Sequence, residues 1–389
     1  MTVSDNADRL PPGGPGDGSV PVTAAQGADY ASQWQLMWWR FKRHRLAVIS
    51  ALVVLGIYFV AIFAEFLAPL PPNQTSTRHT YAPPQAVGFL VPDENGGTRF
   101  QPHVTGYKVE IDPIAIRRTF VPDDTKVIPI GFFVASDPYL LLGFIPLQTK
   151  FIGPVNKDDP FYLLGADRLG RDMLSRIVHG ARVSMSIGLV GVFVSLFVGV
   201  LLGGISGYYG GFVDDAIQRT IEFLKAIPTI PLWMGLAAAI PQNWSPLMVY
   251  FLITVLISLI GWTSLAREVR GRFLSMKTED FVAAAKLDGA GEVRIILRHM
   301  APSFLSHIIA TLTLAIPTMI LAETALSFLG IGLRPPVVSW GVLLQEAQNV
   351  RAVATAPWLL LPGLSVVVAV LSLNFLGDGM RDAADPYAD

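Results

Sequence analysis

Uncharged apolar runs, each long enough to cross a lipid bilayer, constrain this chain more than any other feature. The runs from Leu46 to Ala64 and from Val183 to Phe212 contain no Asp, Glu, Lys or Arg, and neither does the longer run from Ala226 to Ala266. A spanning helix needs about 20 apolar residues, so the third run is sufficient for two passes. Since only 15% of the 389 residues are charged, a disordered protein is excluded and an ordinary soluble enzyme is disfavoured.

Two further runs, from Met300 to Ala322 and from Ala352 to Gly377, bring the prediction to six helices. The predicted fold is an all-α polytopic membrane protein with six transmembrane helices and a small β-containing extracytoplasmic insertion. The helices are expected near residues 46–67, 184–208, 219–240, 247–266, 303–329 and 357–377. The third helix has the weakest apolar pattern, because Glu222 and Lys225 lie in its first turns.

Basic residues flank the apolar runs unevenly, which predicts the orientation of the chain in the membrane. A basic cluster from Arg40 to Arg45 precedes the first helix, and the segment 267–302 is also rich in Lys and Arg. The loop between the third and fourth helices has neither. Because cytoplasmic loops carry the excess of Lys and Arg, we expect both termini and 267–302 in the cytoplasm and residues 69–182 outside it.

Changes in composition divide the chain into four parts. Residues 1–30, rich in Gly, Pro and Ser, are expected to form a disordered cytoplasmic tail. Residues 31–68 hold the first transmembrane helix and, before it, an aromatic and basic stretch that fits an interfacial helix and an aromatic belt equally well. Residues 69–160 alternate in places between apolar and polar, which predicts an extracytoplasmic lobe with short strands. Residues 161–389 hold the five remaining helices and the cytoplasmic loop 267–302.

The second predicted helix carries a glycine at every fourth position. These are Gly199, Gly203, Gly207 and Gly211. A stripe of small residues lets another helix approach closely, so the pattern predicts a helical bundle and nothing more specific.

The sequence lacks the motifs of several chemistries. No cysteine is present, which excludes disulfides, thiolate metal sites and cysteine nucleophiles. The dipeptide Gly-Lys is absent, so the chain has no P-loop, and the HExxH and GxSxG motifs are absent as well. The formal net charge of −1 disfavours nucleic acid as a partner. We therefore expect neither an enzyme nor a metal or cofactor bound to this chain.

Glu323 is an ionisable residue inside the predicted fifth helix. It fits two roles: a lining or gating residue of a polar pathway, or a carboxylate bonded to the hydroxyls of Thr324 and Ser327. Ionisable residues are otherwise almost missing near the expected midplane, which disfavours a secondary transporter. A polytopic membrane enzyme or scaffold stays open as an alternative, although no paired carboxylates or nucleophile constellation supports catalysis.

The cytoplasmic segment 279–302 has the pattern of a helix, a turn and a second helix. Acidic residues favour a helix start at Glu279, and Gly289 allows the positive φ of a turn. A helical hairpin of this kind is suited to docking in the groove of a partner protein. We expect its docking face to consist of Phe281, Ala284, Ala285 and Leu287. A plain cytoplasmic connector is the alternative interpretation.

This segment resembles the cytoplasmic coupling motif of ABC importer permeases. The motif is matched by Ala284, Ala285, Gly289 and Pro302, while Ala283 stands where the family usually has Glu.

Three more stretches resemble the C-type permease subunit of oligopeptide and dipeptide importers. They are Leu164 to Asp172 with its continuation to Ser184, Glu323 to Gly332 with Ser339-Trp340-Gly341, and Asn374 to Pro386. The resemblance covers about 32–68 and 160–387, and 71–159 is an insertion of the kind seen in some relatives.

The resemblance implies an importer of five parts in a bacterial cytoplasmic membrane. Two permeases form the pathway, two partner ATPases bind ATP and Mg, and an extracytoplasmic binding protein delivers the substrate. Family substrates are mostly peptides, with nickel, opines and oligosaccharides as alternatives. Asp167, Arg171 and Asp172 match the family's outer-face motif, and their physical interpretation is a charged interfacial turn at the start of the second helix.

Overall fold

The computed structural model describes residues 33–92, 98–112, 117–241, 243–300 and 305–384. The predicted disordered tail and Pro302 of the coupling motif lie outside these ranges. Helices make up most of the described chain. They are α1 Gln33–Arg43, α2 Arg45–Ile62, α3 Ala64–Leu67, α4 Met173–Tyr209, α5 Gly211–Ala226, α6 Thr229–Ala238, α7 Pro246–Met276, α8 Asp280–Leu287, α9 Glu292–Arg294, α10 Leu305–Phe328, α11 Trp340–Leu344, α12 Val350–Thr355 and α13 Leu361–Ala384. A π-helical turn, Ile295–Met300, follows α9, and 3₁₀ turns lie at Gln345–Gln348 and Pro357–Leu360.

Five helical segments of the described chain are long and apolar enough to cross a membrane. They lie in α2, α4, α7, α10 and the segment Pro357–Ala384 that contains α13. A sixth span results if α5 and α6, which meet at an angle of 85°, are counted as one broken span. The chain is thus mostly helical and polytopic, with five or six candidate spans.

The predicted third helix, 219–240, is broken rather than continuous. Pro228 lacks an amide hydrogen, and the residue before a proline avoids the helical backbone conformation. Ile227 accordingly adopts an extended conformation with φ −84° and ψ 128°, and α5 ends there. The apolar run did not indicate this bend.

The glycine stripe of α4 lies directly against α7. A β-carbon placed on Gly203 would lie 2.5 Å from the carbonyl oxygen of Ala266, and one on Gly207 would lie 2.7 Å from the β-carbon of Phe273. Gly199 also lies against α7, where a β-carbon would lie 3.0 Å from the Leu265 side chain, so three of the four predicted glycines allow α7 to approach closely. The fourth, Gly211, begins α5, and a β-carbon placed on it would have no atom within 4 Å.

A four-stranded antiparallel sheet lies between α3 and α4 in the sequence. Its strands are β1 Val87–Pro92, β2 Thr98–Asp112, β3 Arg117–Leu141 and β4 Ile145–Pro154, in the spatial order β1-β2-β3-β4. The strands are longer than the short ones predicted, because the 25-residue β3 pairs with β2 along its first half and with β4 along its second. Val104, Ile128 and Phe161 are fully buried and form a core beneath it.

Candidate coupling hairpin and buried polar clusters

The hairpin that begins at Glu279 has a buried face and an exposed apolar face. On α8, Val282 is fully buried and Ala285 nearly so. The side chains of Phe281 and Leu287 are 41% and 89% exposed, and Ala284 is exposed between them. Phe281, Ala284 and Leu287, here called the α8 outward face, follow the three-to-four-residue spacing of one side of a helix.

Ala285 does not belong to this outward face, in contrast to the sequence expectation. It lies about one turn from Val282 on the buried side of α8. Both residues pack there into a cluster with Phe273 of α7 and Ile308 of α10. The physical reason is the helical period of 3.6 residues, which separates adjacent Ala284 and Ala285 by about 100°. This rotation is enough to expose Ala284 while Ala285 is buried.

The turn after α8 is closed by a glycine C-cap. Gly289 has φ +72°, which confirms the positive φ expected from the sequence. The amide of Gly289 donates to the carbonyl of Lys286, and the amide of Ala290 donates to the carbonyl of Ala285, each at 3.0 Å. These two bonds satisfy carbonyls that the end of a helix leaves free, so the direction of the second arm is fixed by the backbone.

Aromatic residues at the end of α4 hold the hairpin in place. The ammonium groups of Lys277 and Lys286 lie 5.7 Å and 5.6 Å from the ring centre of Tyr208. The hydroxyl of Tyr209 donates to the carboxylate of Glu292 at 2.5 Å. The hairpin is thus joined to α4 as well as to α7 and α10.

Glu323 lies at the centre of a buried polar cluster rather than on an open surface. Its carboxylate, which is fully buried, accepts hydrogen bonds from Ser327 at 2.8 Å, from Ser339 at 2.7 Å and from Ser184 at 3.3 Å. These hydroxyls come from α10, from the loop before α11 and from α4. Thr324, the other expected partner, has a buried hydroxyl without a hydrogen bond.

The loop after α10 packs closely against this cluster. The backbone amide of Trp340 donates to Ser184 at 3.1 Å, and its indole donates to the carbonyl of Ile177 at 3.0 Å. A β-carbon on Gly341 would lie 2.8 Å from the Cα of Thr324. Glu323 therefore joins α4, α10 and α11, and in this conformation it lines no open path.

The outer-face motif forms a compact charged turn before α4. Asp167, 1% exposed, accepts from the Arg171 side chain at 2.7 Å and from the backbone amides of Leu169 and Arg171 at 2.8 Å and 3.0 Å. Arg176 lies 3.6 Å from the same carboxylate. The Asp167 carboxylate therefore stabilises the turn by accepting hydrogen bonds from both backbone amides and a guanidinium group.

Asp172 caps the N-terminus of α4. One of its carboxylate oxygens accepts from the amide of Ser175 at 2.7 Å, and the other is buried without a hydrogen bond. Burial, opposed by the bonds from Ser175 and Leu174, raises the pKa of Asp172 to about 6. The N-cap carboxylate of α4 therefore has one buried oxygen that accepts no hydrogen bond.

Two ionic contacts that sequence reasoning missed link distant elements. Asp214 of α5 pairs with Arg270 of α7 at 2.5 Å, and Ser206 of α4 donates to the same carboxylate. At the opposite end of the bundle, Arg182 of α4 pairs with Glu65 of α3. The partners are separated by 56 and 117 residues, so no local spacing could have indicated them. Among the described residues, no group of three His, Asp or Glu side chains is placed to hold a metal ion.

Comparison with known proteins gives two family matches. Residues 32–84 match the N-terminal TM domain of oligopeptide transport permease C, and residues 199–388 match the binding-protein-dependent transport system inner membrane component. Between them lies most of the segment predicted to be an insertion.

Named relatives cover a large part of the chain. The oligopeptide transport system permease protein OppC of Haemophilus influenzae is 39% identical over 227 residues, which is 58% of this chain and 70% of the relative. The dipeptide transport system permease protein DppC of Alkalihalophilus pseudofirmus is 35% identical over 269 residues, 67% of this chain and 86% of the relative. Among solved structures, a chain of the inward-facing MetNI methionine ABC transporter is 18% identical with a TM-score of 0.43, covering 55% of this chain and 98% of that one. From the two family matches and the extent of identity to these relatives, the chain belongs to the oligopeptide and dipeptide transport permease family, as a C-type subunit.

Proposed function

We propose that this chain is one of two permease subunits of an ABC importer in a bacterial cytoplasmic membrane, where it forms half of the pathway for peptides or similar small solutes. Family membership and the names of the relatives support this function. Nickel, opines and oligosaccharides are the alternative substrates. The chain acts as a permease and not as an ATPase, because its sequence contains no P-loop.

The exposed apolar surface of α8 is the observation that carries the coupling part of the proposal. Val282 and Ala285 anchor α8 in the chain's own core, while Phe281, Ala284 and Leu287 present apolar atoms to the outside. An exposed helical face with small and apolar residues fits a groove in a partner. We assign that groove to an ATPase subunit, which binds ATP and Mg.

The proposed topology places both termini and the hairpin in the cytoplasm. The broken pair α5–α6 is then the third of six spans, and the residue 69–160 lobe is extracytoplasmic, where the binding protein delivers substrate. The turn around Asp167 lies at that end, beside a cavity of about 320 Å³ that Arg168 and Glu346 help to line. A mixed-charge recess of this kind is suited to polar contacts with the binding protein.

Site-directed crosslinking tests the proposal directly, because the natural chain contains no cysteine. The variant Leu287→Cys, in membranes that contain the cognate ATPases, should form a crosslink with an ATPase subunit. Phe144→Cys, similarly exposed on the β3–β4 turn, is the control and should form none. Purification of the full chain without any ATPase, together with no crosslink at Leu287, would contradict the proposal.

Uptake assays then identify the substrate class. Membrane vesicles that hold the complete importer and its binding protein should accumulate labelled di- and oligopeptides when ATP is supplied. Accumulation of nickel or oligosaccharide with no peptide uptake would keep the importer assignment and reject the peptide assignment.

A further inference from the structure

A cluster of four phenylalanines lies where the β lobe meets the end of α2 and α3. Phe66 of α3 has ring centres 6.1 Å from Phe133 of β3 and 5.9 Å from Phe151 of β4. Phe132 and Phe133 lie 5.8 Å and 5.7 Å from Phe151. Despite this clustering, Phe132 and Phe133 are 60% and 65% exposed.

Backbone geometry brings both exposed rings to the same side of the sheet. Successive residues of a strand normally point to opposite faces. Phe133, however, has φ +56°, which is uncommon for a residue other than glycine. The local departure from strand geometry lets Phe132 and Phe133 both approach Phe151.

The strand segments that carry the cluster contain little charge. Residues 127–136 of β3 contain no ionisable side chain, and residues 145–156 contain only Lys150. Asp137 and Lys157, an exposed ion pair at 3.1 Å, follow directly after these two segments. The ammonium of Lys150 is buried, donates to the carbonyl of Glu65 at 2.6 Å and lies 4.3 Å from the ring centre of Tyr139. By contrast, the β2 arm of the same sheet exposes Lys108 and Glu110.

An aromatic line connects the cluster to the apolar surface of the first candidate span. Phe59, 55% exposed on α2, lies 4.7 Å from Phe63, measured between ring centres. Phe63 lies between α2 and α3, and Phe66 follows three residues later in α3. Exposed Leu55 and Ile62 extend this surface along α2, where a membrane-spanning helix faces lipid.

We propose that Phe66, Phe132, Phe133 and Phe151 sit in the outer interfacial layer of the bilayer, so that the β3–β4 half of the lobe rests on lipid. The occupant is lipid because the cluster is continuous with the apolar surface of α2 and is uncharged. Phenylalanine side chains of elements that lie on a membrane insert at the boundary between headgroups and acyl chains. This inference goes beyond the transport function and does not depend on which solute is carried.

Spin-label accessibility tests the proposal in the full-length chain. Single-cysteine variants Phe132→Cys and Phe133→Cys are labelled with a nitroxide in vesicles of phosphatidylcholine and phosphatidylglycerol. Phe59→Cys is the lipid-exposed control, and Phe100→Cys, 70% exposed on β2, is the water-exposed control. The ratio of collisions with oxygen to collisions with a water-soluble nickel chelate should be several-fold higher at 132 and 133 than at 100, and close to that at 59.

Two results would overturn the proposal. A nickel accessibility at 132 and 133 equal to that at 100 would place the cluster in water. Low accessibility to both reagents, with normal values at 59 and 100, would show that protein covers the cluster instead: a second copy, since only this chain is in the vesicles. Phe132 and Phe133 are more than half exposed, so replacing either by cysteine removes little buried surface and should leave the chain folded.

Discussion

The hydroxyl of Ser339 donates a 2.7 Å hydrogen bond to the buried carboxylate of Glu323, and so joins the loop before α11 to α10. Removing an acceptor from buried donors costs about 1–3 kcal/mol. Glu323→Ala should therefore lower the melting temperature of the purified protein. Glu323→Gln retains an oxygen acceptor and should lower it less.

The same two variants distinguish a gating role of Glu323 from a purely structural role. If Glu323 serves only to hold α4, α10 and α11 together, uptake by Glu323→Gln should follow its folded yield in the membrane. Normal melting combined with lost uptake in Glu323→Gln would instead assign a gating role to the carboxylate.

Asp172 predicts a pH-dependent contribution to stability. Its pKa is raised to about 6 by burial, while an unfolded aspartate titrates near ~4. Between these values the folded carboxyl holds a proton that the unfolded one has released, so stability rises as pH falls through this range. As the pH is lowered from about 7 to about 4.5, the melting temperature of the wild type should therefore rise relative to that of Asp172→Asn. A constant difference across that range would contradict the raised pKa.

The cap itself is tested by a second substitution. Asp172→Ala removes the acceptor for the amide of Ser175 and should be about 1 kcal/mol less stable than Asp172→Asn at any pH, because neither variant titrates at this position. Asp172→Asn preserves an acceptor and is its matched control, compared by thermal melting in the same nanodiscs.

Gly170 should tolerate no side chain. It has φ +69°, and a β-carbon would lie 2.0 Å from the carbonyl oxygen of Ser76. Gly143 has a similar φ of +83° with no atom within 4 Å of that position, so Gly143→Ala carries the backbone strain alone, about 1–2 kcal/mol. Gly170→Ala should lower the melting temperature clearly more than Gly143→Ala, and equal effects would show that the segment around Ser76 moves aside.

Adjacent alanines on α8 should respond differently to the same substitution. Ala285→Arg places a charge in the core with Val282 and Phe273 and should reduce folded protein, at a cost on the order of 3 kcal/mol. Ala284→Arg lies on the exposed side and should leave the melting temperature unchanged, yet abolish ATP-driven uptake and substrate-stimulated ATPase activity. Full uptake by a well-folded Ala284→Arg would indicate a plain connector.

Gly289 offers an independent perturbation of the same hairpin. Gly289→Val meets no neighbouring atom, so its effect is backbone strain of roughly 1–3 kcal/mol at φ +72°. We expect normal membrane insertion with loss of coupled transport. Ala283→Glu, which restores the residue usual in the family motif, should be tolerated and serves as the control.

Apolar runs predicted the positions of five long apolar helices, because burial in a bilayer depends on composition over a long window. Helix ends were predicted less well. α4 begins at Met173 rather than near 184, since its charged first turns find partners such as Asp167 and Glu65. α7 likewise continues past Ala266 to Met276, where Arg270 pairs with Asp214. A charged residue ends an apolar run in the sequence, but it does not end the helix when an oppositely charged side chain is close enough to pair with it.

The polar cluster around Glu323 could be predicted only in part. Ser327 is one helical turn away on α10, so the sequence indicated it. Ser184 is 139 residues distant and approaches only through the packing of α4 on α10. The turn at Gly289 was predictable because its two hydrogen bonds are local, whereas the opposite orientations of Ala284 and Ala285 required the position of the core.

The glycine stripe of α4 also has a mechanical consequence. Where Gly203 and Gly207 meet the carbonyl oxygens of Ala266 and Arg270, backbone lies against backbone and no layer of flexible side chains separates the helices. Close-packed interiors have low compressibility, so we expect α4 and α7 to move together as one rigid unit. A displacement of the hairpin, which contacts both helices, should then shift the two helices by the same amount.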